Sequence, residues 1–264
     1  MPYVNGLFYR DWGTGRPVVF VASWAFSSSM WQRQMQHLAD NGFRAIGYDR
    51  RGHGRSDDPG TGYDFDTLAD DLAALIEHLD LTDVTLVGHS MGGGEVVRYL
   101  TRHGESRVSK IVLVASTVPC LRQRPDNPNG VPAAAGDQLM ARLRTDFGGW
   151  VDENVDAFFG EAAVPQATRD WAVRECLSVD LHAAIGCTEA NVTADFRPEL
   201  AKIAVPTLVL HGDHDASAPL ELCGRVTAEL IAGAELRVYT GVAHALFFTH
   251  TERLNADLLE FAQK

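Results

Sequence analysis

Val84-Thr85-Leu86-Val87-Gly88-His89-Ser90-Met91-Gly92-Gly93-Gly94 is the stretch on which the reading of this chain turns. A short β-branched and aliphatic run ends in glycine, a serine follows with a glycine two places to either side, and a helical pattern then covers residues 91–101. An apolar run bounded by glycine is what a strand buried on both faces requires. A serine at the tip of such a strand–turn–helix must adopt a strained backbone conformation, and small residues two before and two after it keep strand and helix from clashing. The helix N-terminus behind it supplies positive potential where an oxyanion would form. Ser90 is therefore the candidate nucleophile.

Working outward, residues 18–22, 43–48, 111–115, 207–210 and 236–239 repeat the same signal of a short apolar run followed by a turn, and residues 7–11 suit an edge strand. Helical patterns separate them. In 66–79 the leucines fall at 68, 72, 75 and 79, one buried face, with acidic residues in the first turn where the helix dipole favours them. The segment 252–261 places Leu254, Leu258 and Phe261 inward. Alternating strands and helices predict an α/β fold with a mostly parallel, doubly wound sheet. From about 119 to 191 the alternation stops: prolines and glycines come first, then helical patches at 137–146, 151–159 and 166–177. Helices inserted between two parallel strands sit over the strands' carboxyl ends, where ligands bind. The chain thus reads as one domain, 1–264, with a helical lid at about 119–191.

Composition narrows the function classes. The 264 residues are 45% hydrophobic and 22% charged, ordinary for a single globular domain, and 23 Lys+Arg against 35 Asp+Glu give a net charge of −12. That charge repels phosphate backbones and argues against a nucleic-acid partner. No run of about 18 apolar residues marks a membrane span, and the N-terminal residues lack a signal-peptide pattern, so the expected location is cytoplasmic. Cys120, Cys176, Cys187 and Cys223 are scattered without metal-ligand spacing, as are the ten histidines. The expectation is free thiols in a reducing compartment, and no metal or cofactor.

A serine hydroxyl needs a base within hydrogen-bond reach. His211-Gly212-Asp213-His214-Asp215 follows one strand and Val242-Ala243-His244-Ala245 follows the next, so both loops meet Ser90 at the same edge of the sheet. His244 is the expected base. Asp213 and Asp215 are both available as the acid; Asp215, deeper in the loop, is favoured, with Asp213 holding the loop. Two backbone N–H groups should stabilise the oxyanion: that of Met91, following the nucleophile, and that of Trp24, in the loop after the first buried strand. The remaining histidines, including His53, His89 and His211, take structural or surface places in this reading.

With these segments placed, the chain resembles the bacterial arylesterases and cofactor-free, non-haem chloroperoxidases (perhydrolases) of the α/β-hydrolase superfamily. The likeness spans nearly the whole length. It rests on Tyr48-Asp49-Arg50-Arg51-Gly52-His53-Gly54-Arg55-Ser56, Leu86 to Glu95, Asp195-Phe196-Arg197-Pro198, Val205 to Asp213 and Ala243-His244-Ala245-Leu246, all in order. The resemblance implies the α/β-hydrolase fold, an acid at Asp215, and hydrolysis of small carboxylic esters. It further implies perhydrolysis as a side reaction and a homo-oligomer. Relatives also cleave lactones and amides, so a lactonase or amidase with the same residues is the rival reading. A catalytically silent, ligand-binding member is the rival of another class. Dehalogenase and epoxide-hydrolase chemistry are disfavoured, because both use an aspartate at the position of Ser90. By analogy and location, Trp24, Leu121, Phe158, Phe159, Leu220 and Leu246 are expected to line the substrate pocket. One departure stands out: relatives carry His-Gly before the oxyanion-loop aromatic, where this chain has Ala22-Ser23.

Overall fold

The computed structural model describes residues 2–264. Its strands are β1 (Tyr3–Val4), β2 (Leu7–Gly13), β3 (Arg16–Val21), β4 (Phe43–Tyr48), β5 (Val84–His89), β6 (Val108–Val114), β7 (Thr207–Gly212) and β8 (Glu235–Tyr239). They form one sheet in the order β1-β2-β4-β3-β5-β6-β7-β8, parallel from β3 to β8 and antiparallel at the β1 and β2 pairings. This is the α/β-hydrolase fold expected from the sequence. The segment at 7–11 is not the outermost strand: β2 pairs with β4 from Tyr9↔Tyr48 to Gly13↔Arg44, and the short β1 lies outside it.

Helices cover both faces: α1 (Gln32–Asp40), α2 (Phe65–His78), α3 (Met91–His103), α4 (Ala133–Phe159) and α5 (Gln166–Leu177). These are followed by α6 (Leu181–Thr193), α7 (Arg197–Leu200), α8 (Gly224–Leu230), α9 (Leu246–Thr249) and α10 (Thr251–Gln263). Strand periodicity divides the core between them. Val19, Val21, Ile46 and Leu86 pack with Leu68, Leu72, Leu75 and Ile76 of α2 and Val96 and Val97 of α3. Val18, Phe20, Ala45 and Val87, one residue out of phase, pack with Met35 and Leu38 of α1 and Leu254, Leu258 and Phe261 of α10. Each such aliphatic side chain contributes about 1.5–3 kcal/mol on full burial. Asp64 starts α2 by accepting the Thr67 N–H at 3.0 Å, a cap that satisfies one of the helix's unpaired donors.

The segment between β6 and β7 contains no strand among the named elements and carries α4, α5, α6 and α7. The two helical patches expected at 137–146 and 151–159 are one run, α4, broken at Asp146, whose φ of −157° and ψ of 71° leave the helical region. The Asp146 carboxylate then accepts the Gly149 N–H at 2.9 Å and starts the second half as a cap. Helix α6 has no counterpart in the sequence reading. Its buried residues, Ala183, Ala184, Cys187 and Thr188, fall on one face but are small, so they leave only a weak apolar stripe in the sequence.

Close approach of α3 to the sheet depends on glycine. A Cβ on Gly92 would lie 2.7 Å from the carbonyl oxygens of both Val21 and Ala22. Gly92→Ala must therefore push α3 away from β3, and its expected cost is about 1–3 kcal/mol. Urea unfolding checks this; a midpoint unchanged from the parent protein would show that the packing yields without cost.

Candidate active site

Ser90 caps α3 and sits between β5 and that helix with φ 55° and ψ −122°, a conformation that L residues other than glycine rarely adopt. Its N–H donates to Val114 O at 3.0 Å, and its carbonyl accepts from Gly93 N at 3.1 Å and from the Ser116 hydroxyl at 3.2 Å. The bonds on both sides hold the turn, leaving Oγ at the sheet edge. Three loops at the carboxyl ends of β5, β7 and β8 converge there.

Ser90 Oγ lies 2.9 Å from His244 Nε2, and His244 Nδ1 lies 2.7 Å from Asp215 Oδ2. All three residues are buried. An ionised carboxylate only accepts, so Nδ1 carries the imidazole proton and Nε2 is left to accept the serine hydroxyl. Asp215 Oδ1 accepts two further bonds, from Ser217 N at 2.9 Å and Ala218 N at 2.8 Å. Burial pushes the Asp215 carboxyl up, but His244, His211 and the Ala218 amide outweigh it and hold it below the ordinary carboxylate range. Asp213, the alternative acid, faces the other way and accepts Gly241 N at 2.6 Å, which ties the β7 and β8 loops together.

Two histidines brace this line. His89 Nε2 donates to the His244 carbonyl at 3.0 Å, and the two rings lie 4.7 Å apart. His211 Nε2 donates to Ala218 O at 2.6 Å, steadying the loop that carries Asp215. Burial holds both imidazoles below their ordinary value, and burial beside the Arg50 guanidinium pushes His53 down to about 3. Opposite Ser90, no group of the described residues accepts the Trp24 N–H. The Met91 N–H, in the first turn of α3, has no intrahelical acceptor.

Comparison with known proteins identifies the frame. The alpha/beta hydrolase fold family matches residues 16–251. Non-heme chloroperoxidase CPO-A1 of Kitasatospora aureofaciens is 41% identical over 264 residues, covering 98% of this chain and 96% of the relative. The chain belongs to the non-haem chloroperoxidase family of α/β-hydrolases. The bifunctional esterase/perhydrolase DCH of Acinetobacter calcoaceticus is 36% identical over 266 residues, covering 97% and 95%. Among solved structures, the bromoperoxidase of Bacillus anthracis superposes with a TM-score of 0.94 at 37% identity, covering 98% of this chain and 95% of that one.

In this α/β-hydrolase a cavity of about 340 Å³ opens at Ser90 and His244, between the sheet edge and the inserted helices. Trp24, Leu121 and Phe158 lie on its wall; Phe159, Leu220 and Leu246 do not. Phe159 is one residue along α4 from Phe158, so the helical turn directs it into the core against Phe248. Leu246, fully buried in α9, packs in the same core, and Leu220 is buried away from the cavity. Trp24 joins loop to insertion: its indole N–H donates to Ala184 O at 2.9 Å, and its ring meets Trp150 edge-on at 5.4 Å.

The sequence reading missed the cavity's polar edge. Thr117 Oγ1 and Asn191 Oδ1 are 2.7 Å apart, and both residues line the cavity. The pair has three polar hydrogens and uses one internally, so donors remain for a ligand oxygen. Their sequence separation of 74 residues left no local signal. Among the described residues, no cluster of three His, Cys, Asp or Glu is arranged to hold a metal ion, and no helix is long and apolar enough to cross a membrane.

Two outcomes are expected. Asp215→Asn should lower kcat by about 10⁴-fold by disturbing the His244 tautomer, whereas Asp213→Asn should leave kcat nearly intact; comparing the two rates for a small aryl ester checks the assignment. Acidification should also destabilise the protein. His53 titrates near 3 when folded but near 6.5 when exposed, so its contribution is complete above 6.5 and is lost as the pH falls toward 3. Within that window His53→Gln should flatten the fall in urea stability by up to about 1.4 kcal/mol per pH unit. An unaltered slope would mean that His53 is protonated in the folded protein.

Proposed function

We propose that this hydrolase cleaves small carboxylic esters through an acyl-enzyme on Ser90. The reading rests above all on one observation, the continuous hydrogen-bonded line from Ser90 Oγ through His244 to Asp215 at the mouth of a mostly apolar cavity. His244 Nε2 takes the hydroxyl proton as Ser90 Oγ attacks the ester carbonyl, and Asp215 stabilises the imidazolium. The negative oxygen of the tetrahedral intermediate accepts from the Trp24 and Met91 N–H groups. His244 then returns the proton to the leaving alcohol oxygen as the carbon–oxygen bond breaks.

Deacylation reverses the roles. His244 removes a proton from water, the resulting oxygen attacks the acyl carbon, and the Ser90 oxygen leaves with the proton restored. If hydrogen peroxide occupies the place of water, the product is a peracid, which oxidises halide in solution without a metal or haem. The names of the relatives, chloroperoxidase and bifunctional esterase/perhydrolase, support this second use of the same intermediate. Thr117 and Asn191 add hydrogen-bond donors to the acyl or alcohol side of the pocket.

Ser90→Ala should reduce phenyl acetate hydrolysis by about 10⁶-fold and abolish covalent labelling by a fluorophosphonate. Peracid formation from acetate ester and peroxide should disappear with it. Retention of either activity in the variant would overturn the proposal.

A further inference from the structure

The segment Tyr48-Asp49-Arg50-Arg51-Gly52-His53 takes no part in the chemistry above, yet among the described residues it carries the most completely buried Arg or Lys side chain. Arg50 is 2% exposed and Glu95 is 0% exposed. Arg50 Nε donates to Glu95 Oε1 at 2.8 Å, Nη2 bonds the same carboxylate oxygen, and Tyr48 Oη donates to Glu95 Oε2 at 2.9 Å. The other edge of the guanidinium serves a different purpose. Nη2 donates to Ala22 O at 2.7 Å and Nη1 donates to Ser23 O at 3.0 Å.

These two carbonyls belong to the loop after β3 that also carries the Trp24 N–H. In a trans peptide the C=O and the following N–H point in opposite directions. Anchoring Ser23 O on Arg50, with a longer bond from Phe26 N at 3.4 Å, therefore turns the Trp24 N–H away from Arg50; Ser23, Trp24 and Ser90 line one cavity. Anchoring Ala22 O likewise turns the Ser23 N–H to Met30 Sδ, 3.2 Å away. A planar guanidinium grips two successive carbonyls in one fixed geometry, which a lysine ammonium on a flexible stem does not. Glu95 lies on α3, the helix that begins at Ser90 and Met91. The Arg50–Glu95 pair thus links the loop carrying one N–H to the helix carrying the other.

We infer that Arg50, held by Glu95 and Tyr48, is a positioning residue that sets the Trp24 N–H at the distance and angle needed to receive the oxyanion. The inference rests on the acyl-enzyme reading of Ser90. It gives the loop at Ala22 and Ser23 a brace supplied from the end of β4 and from α3. The energetic logic is that of a preorganised donor: a misplacement of about 1 Å at such a group costs on the order of 10²-fold in rate.

The test is Arg50→Lys in the full chain, assayed with p-nitrophenyl acetate after counting competent Ser90 sites from the p-nitrophenol burst. The expected result is acylation per competent site slowed by about 10–100-fold, with KM changed by no more than about twofold. The inhibition constant of a trifluoromethyl ketone, which forms an oxyanion on Ser90, should rise by the same factor as the rate falls. A merely structural role predicts fewer competent sites, each acylating at the parent rate with the parent inhibition constant, and that result overturns the inference. If the lysine variant does not fold, Tyr48→Phe decides. It loosens Glu95 but leaves the ion pair, and should give a several-fold slowing with a matched loss of ketone affinity. An unchanged rate per site there overturns the inference. Failure of the acyl-enzyme reading is distinguished by the parent protein, in which Ser90→Ala would then retain hydrolysis.

Discussion

The backbone of Ser90 is the constraint around which the rest of the molecule is arranged. A non-glycine residue at φ 55° carries strain of about 1–3 kcal/mol, and it persists because neighbours determine it from every side. Strand β5 is paired on both edges, by β3 and β6. Helix α3 leaves the turn so close to β3 that only a glycine fits at position 92. A hydrogen bond to the Val114 carbonyl and one from the Ser116 hydroxyl secure the peptide groups of the serine itself. The result is a hydroxyl lifted off the sheet edge with a helix N-terminus behind it, a geometry that a relaxed turn would not supply.

Around that turn most buried polar groups are paired, the Nδ1 atoms of His89 and His211 excepted. Asp215 accepts two backbone N–H groups besides His244, so its charge is tolerated at depth. His89 and His211 fix the loops that carry His244 and Asp215, and both do so through backbone carbonyls. Arg50 and Glu95 are the costly members of this set. A buried ion pair adds little net stability compared with apolar packing, but losing one partner is severe, because the other is left charged and desolvated. Such a pair makes sense where geometry, not stability, is at stake. Here its free edge is spent on two carbonyls of the loop facing Ser90.

The inserted helices turn an exposed sheet edge into a cavity. Trp24 is the joint: its backbone belongs to the loop after β3, and its indole bonds α6 and packs on α4. Burying Ser90, His244 and Asp215 strengthens every electrostatic contact among them. It also sets what can enter. The wall is chiefly aliphatic and aromatic, with the Thr117–Asn191 pair as a polar edge.

Local pattern was enough to place the sheet, Ser90 and the loops bearing Asp215 and His244, because each depends on a short signal: an apolar run, a glycine two residues away, a polar cluster at a strand end. The leucines of α2 and α10 are equally local, set by a helical repeat. The pocket wall was not. Phe158 and Phe159 are adjacent in sequence, and only the orientation of α4 sends one to the cavity and the other to the core. Helix α6 escaped notice because its buried face is built of small residues, which leave only a weak amphipathic stripe. The partnership of Thr117 with Asn191, and of Arg50 with the carbonyls of Ala22 and Ser23, joins residues that only folding brings together. Sequence by itself determined the kind of chemistry available at Ser90, since residue type and turn geometry are local. Tertiary structure decided which groups aim at the reacting atoms, since aim depends on how separate elements pack.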